Sequence, residues 1–101
     1  MNIAAAPGEV LPLEGALTFE SIPAVLEESA LYAARADLPE RLTIDFSLVT
    51  DVDSSAVALL LDWRRMAMKR SKTLVFVNLP ANLLALAELY GVAEIIQPHR
   101  A

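Results

Sequence analysis

Apolar and polar positions along the chain switch repeatedly between a two-residue and a three-to-four-residue period, and the switches mark its elements. Val10 to Leu13 reads as a short first strand running into a turn at Glu14-Gly15, and Pro12 places that strand at a sheet edge. Ile22, Val25, Leu26, Ser29 and Ala33 have helical spacing. They predict a helix over about 20–35, with Thr18 or Ser21 as its cap and Pro23 in its first turn. Asp37-Leu38-Pro39 breaks the helix, and Leu42-Thr43-Ile44-Asp45-Phe46 alternates as a central strand does. Ser47 to Asp53 reads as a polar loop, and Ser54-Ser55 opens a long helix to about Arg70. Lys72 to Asn78 is a nearly continuous apolar strand, the pattern of one buried on both faces. Leu83, Leu84, Leu86, Ala87 and Tyr90 mark a last helix stopped at Gly91, and Glu94-Ile95-Ile96 reads as a terminal strand.

Strands alternating with helices imply an α/β fold with a mostly parallel sheet, whose partners sit beyond the carboxyl ends of the strands. The segment from Ser47 to Ser55 lies at that rim. The long helix behind it carries two apolar stripes: Val57, Leu60, Leu61 and the stem of Arg64 form one, and Ser55, Ala58, Leu59 and Asp62 the other. Both cannot face one core, so the second stripe is expected to meet a partner.

Composition narrows the chemistry. The 101 residues are 55% apolar and 21% charged, a balance that buries a core and excludes a disordered chain. The longest apolar run, Ala56 to Leu61, is far short of the roughly 20 residues of a membrane helix. Glu9 and two prolines interrupt the first twelve residues, which lack a basic leader, so the expected location is cytoplasmic. Cysteine is absent and His99 is the single histidine, which removes thiolate catalysis and leaves carboxylates alone to hold a metal; neither an enzyme nor a cofactor is expected. A net charge of −5 argues against a nucleic-acid partner. The charge is uneven, however: residues 1–63 carry 11 acids and 2 bases, and five of the eight bases fall between Arg64 and Lys72. Arg64, Arg65, Lys69, Arg70 and Lys72 suit the negative end of a helix and are read as its solvated face in preference to a contact for anionic lipid or nucleic acid. Trp63 and Met66 are equally suited to core and interface.

The segment Asp45-Phe46-Ser47-Leu48-Val49-Thr50-Asp51-Val52-Asp53-Ser54-Ser55-Ala56-Val57, continuing into Leu59-Leu60-Leu61, resembles the signature of STAS domains. Leu13 to Phe19, Trp63-Arg64, Phe76 to Pro80 and Leu84 to Val92 are similar, in the same order, to the small STAS subunit of Mla-type phospholipid ABC transporters. The resemblance runs over about residues 10 to 97. It implies a single STAS-type domain over 1–101: a tail over 1–9, a core over 10–97 with a mixed, mostly parallel sheet of about four to five strands and three to four helices, and a tail over 98–101. It also implies a non-catalytic subunit bound to the transporter's cytoplasmic ATPase and, through it, to the inner membrane, with self-association into a weak homodimer left open.

Two hydroxyls carry the rival readings. Ser54 or Asp53 can cap the helix, Asp51 belongs to the same capping loop, and a helix N-terminus also accepts added negative charge. In anti-sigma-factor antagonists the second hydroxyl after the aspartate is phosphorylated, which matches Ser55. In the Mla-type subunits the first is the contact, which matches Ser54. Ala56-Val57 stands where a glycine followed by leucine is usual, and its methyl group crowds a kinase.

Overall fold

The computed structural model describes residues 9–96. Their order is β1 (Glu9–Leu17), α1 (Ile22–Ala33), β2 (Arg41–Val52), α2 (Ser54–Lys69), β3 (Thr73–Val77), α3 (Ala81–Leu89) and α4 (Ala93–Ile96). Residues 1–8 of the expected N-terminal tail, the expected tail over 98–101 and His99 lie outside the described residues, and Glu9, expected in the tail, already belongs to β1. The three strands form one sheet in the order β1-β2-β3, with both pairings parallel. Among the described residues this is fewer strands than the pattern suggested. Glu94-Ile95-Ile96 is one reason: it winds into α4, where the amides of Ile95 and Ile96 both reach the Val92 carbonyl at 3.1 Å.

Most of the expected elements are present, and β2 differs most. It continues through the presumed loop to Val52, a strand of 12 residues. Two stretches of β1 face one extra residue each in β2, since Pro12 and Glu14 pair with Asp45 and Leu48, and Gly15 and Leu17 with Val49 and Val52. Each extra residue reverses which side chains point inward. Ile44 and Phe46 therefore face the core, and so do Val49 and Val52, three residues further on each time. Pro12 does lie on an edge strand, where its missing N–H costs no central ladder bond. Gly15, with φ 85°, makes the bend opposite the second irregularity.

A strand order that never reverses carries both crossover helices over the same face of the sheet. The core lies there. Phe46, Leu17, Leu60, Leu83 and Ile96 are fully enclosed, and Phe46 meets Phe76 edge-on with centroids 5.6 Å apart. The opposite face is left without a covering helix among the described residues. Val10, Thr43 and Val75 form one register row across it, and Val10 is 64% exposed. This corrects the expectation that the last strand is buried on both sides: Leu74 and Phe76 are buried, whereas Val75 and Val77 are half-buried.

The C-terminal part is held by Arg64. Its guanidinium stacks over Phe76 at 5.0 Å and donates to the Ile96 carbonyl at 3.0 Å, which ties α4 to α2 and β3.

Candidate functional site

At the carboxyl rim of the sheet, β2 ends directly against α2. Asp53 sits between them with extended backbone, the geometry of a helix N-cap. Its Oδ1 accepts the Ser55 amide at 2.9 Å and also the Ser55 hydroxyl, so the first turn of α2 gains a partner for one of its free N–H groups. Its Oδ2 accepts the Phe19 amide at 2.9 Å, from the turn after β1. One carboxylate thus joins the exit of β1 to the start of α2. These bonds, from Ser55 first and then Phe19, hold the Asp53 carboxyl below the usual carboxylate range.

The two hydroxyls are not equivalent. Ser54, the first residue of α2, is exposed; Ser55 is half-buried with its hydroxyl turned back onto Asp53. Asp51 does not share the capping role expected for it. It belongs to β2, is exposed, and accepts a long hydrogen bond of 3.5 Å from the Thr50 hydroxyl. The carboxylates of Asp51 and Asp53 point to different partners and form no paired acid-base site. No group of three histidines, cysteines or acids that could hold a metal occurs among the described residues.

The second stripe proposed for α2 divides. Ala58 is exposed and Asp62 half-buried, while Leu59 is 4% exposed and belongs to the core. Leu59 is therefore corrected as a surface contact. Helix α2 packs against α1, α3 and α4 as well as β3, so more than one of its sides is covered, and Leu59 belongs to the buried cluster. The outward row is instead Ser54, Ala58, Asp62 and Arg65, with Arg65 donating to Asp62 at 3.5 Å.

The pattern of the sequence did not single out Phe19. Its side chain is 79% exposed although its amide is fixed to Asp53, the residue that caps α2, so an exposed aromatic belongs to the turn tied to the head of that helix. The one available signal was its position between the possible caps Thr18 and Ser21. A second rim cluster also emerges: Asp45 Oδ1 accepts the Ser47 amide and the Asn78 side-chain amide, both at 2.9 Å. Asn78 holds φ 58° where β3 ends, and its bond, followed by that of Ser47, keeps the Asp45 carboxyl low.

The basic cluster disperses into local bonds. Arg70 donates to the Ala33 carbonyl at 2.9 Å and Lys72 to the Leu38 carbonyl at 3.1 Å, while Arg64 points to the other side of α2. Trp63 is half-buried, with its indole N–H 3.4 Å from the Ser29 hydroxyl, and Met66 is exposed.

A protein-family model described as Mlab, STAS domain matches residues 2–97. No curated protein matches the chain significantly.

Proposed function

Because the chain belongs to the MlaB-like STAS-domain family, we propose that it is a non-catalytic subunit of an Mla-type phospholipid ABC transporter, bound to the cytoplasmic ATPase through the start of α2. The observation that carries this reading is that Asp53 fastens the turn bearing the exposed Phe19 to the head of α2, where Ser54 is exposed, with Ala58 one turn further along. An aromatic anchor flanked by small residues suits a partner surface that must approach closely, and aromatic residues dominate binding energy at such contacts. A specific complex buries about 1,000 Å² or more in total, so the contact extends beyond these residues to Asp62 and Arg65. In this role the subunit supports assembly or activity of the ATPase and follows it to the inner membrane. No helix of the described residues is long and apolar enough to cross a membrane.

The rival, an anti-sigma-factor antagonist switched by phosphorylation, needs Ser55 as acceptor. Phosphate there would bring about −1.5 to −2 charges against Asp53 and displace the hydroxyl from its cap. Ser54 is the hydroxyl available to a partner without that cost.

The test is co-purification with the ATPase from the native cells, together with ATPase stimulation. Ser54→Arg is expected to abolish capture while the domain stays folded, and Ser55→Ala to preserve it. Stoichiometric phosphate on Ser55 by intact mass, with Ser54→Arg leaving ATPase activity unchanged, would overturn the reading in favour of the rival.

A further inference from the structure

Helix α1 has no buried residue, although Ile22, Val25, Leu26 and Ala33 repeat at helical spacing. It stands away from the sheet over an open cleft of about 740 Å³. The walls are apolar: Leu11, Leu13 and Ile44 from the sheet, Val25 and Leu26 from α1, and Trp63 from α2. The volume falls within the range of about 300–1,000 Å³ of small-molecule sites. An apolar space of this size gains little from water, which finds few partners on its walls, and loses the packing that a filled site would have.

The polar groups of the cleft are unevenly placed. At the end where β2 and β3 begin, Leu42 pairs in register with Leu74, and Arg70 and Lys72 join the lining. Both reach main-chain carbonyls beyond the end of α1 or at its last turn, Ala33 for Arg70 and Leu38 for Lys72. Each bond uses one of several N–H donors on its cation. The acids of the lining are Glu28, midway along α1, and Glu14, which pairs beyond Asp45 toward the strand ends. One end of an apolar slot is therefore cationic.

We propose that this cleft binds a long-chain fatty acid, its chain along the apolar walls beneath α1 and its carboxylate at Arg70 and Lys72. Apolar walls reject a polar ligand, and two cations at one end select an anionic head over a cationic one. The cationic end of the cleft lies at the C-terminal end of α2, away from Ser54, while the apolar lining extends along the sheet to Leu17, and the proposal does not rest on the transporter contact.

Calorimetric titration of the full chain with palmitate, and with hexadecyltrimethylammonium as the same chain with the opposite head, tests this. Saturable palmitate binding at least about tenfold tighter than the cationic amphiphile is expected. Arg70→Ala with Lys72→Ala should weaken palmitate at least about tenfold, and Leu26→Trp, which fills the slot, should abolish binding. Absence of saturable binding, equal binding of the two heads, or affinity unchanged in folded variants would each overturn the proposal. If the variants fail to fold, the head-group comparison on the unaltered chain decides it.

Discussion

The Asp53 carboxylate accepts the main-chain N–H of Phe19 at 2.9 Å across 34 positions of sequence, and through this bond the turn after β1 is fixed to the start of α2. A capping residue that also anchors a distant turn has two structural roles. Asp53→Ala should lower the melting temperature by about 4–8 °C, the scale expected for losing one helix cap in a domain of this size. Thermal unfolding followed by circular dichroism checks it, and Asp53→Asn, which retains an acceptor, should recover part of the loss.

Acid should find the same residues. Asp53 and Asp45 are both held below the ordinary carboxylate value by hydrogen bonds that the folded state alone supplies. A group whose folded value is depressed contributes stability in full above its unfolded value, near pH 4, and loses it as pH falls through the folded value. Urea midpoints between about pH 5 and pH 2 should therefore decline, and the decline should be shallower in Asp45→Asn and Asp53→Asn.

Phe19→Ala separates binding from folding. The ring is 79% exposed, so its removal should leave the melting temperature within experimental scatter. Affinity for the ATPase proposed as partner should nevertheless fall by about tenfold or more if the ring is an anchor. Surface-based binding measurements of the two proteins check this, and unchanged affinity would remove Phe19 from the interface.

Leu59 and Ala58 are neighbours with opposite expected behaviour. Leu59→Ala opens a cavity in the core and should cost about 2–5 kcal/mol, measured by urea unfolding. Leu59→Asp should abolish cooperative unfolding, because the carboxylate has no buried partner. Ala58→Asp, on the exposed row, should leave the fold intact and weaken the partner contact alone.

Arg64 is the latch of the C-terminal helix. Its stacking on Phe76 and its bond to the Ile96 carbonyl are both lost in Arg64→Ala. The cost should be about 1–3 kcal/mol. Amide hydrogen exchange should rise over Ala93–Ile96 before it rises in β2, and Arg64→Lys should restore less than the full protection, since an ammonium lacks the planar stacking face.

Local chemistry made much of this protein readable from its residues. Pro12 announced an edge strand, Asp53 a helix start, Pro23 a first helical turn and Gly91 a helix stop, because each acts on backbone within a few residues of itself. The α/β class followed from the same local periods, and the hydroxyl pair was located correctly at the head of α2. Tertiary structure decided the rest. The inward positions Phe46, Val49 and Val52 are spaced by three, a rhythm that looks like a loop until β1 supplies the partner that forces two irregularities into β2. Leu59 is core and Phe19 is bare for a related reason: a helix or turn cannot specify which of its sides will be covered, since that depends on which other elements pack against it. Ser54 and Ser55, adjacent and chemically identical, were separated only by the Asp53 carboxylate, which binds one hydroxyl and leaves the other at the surface.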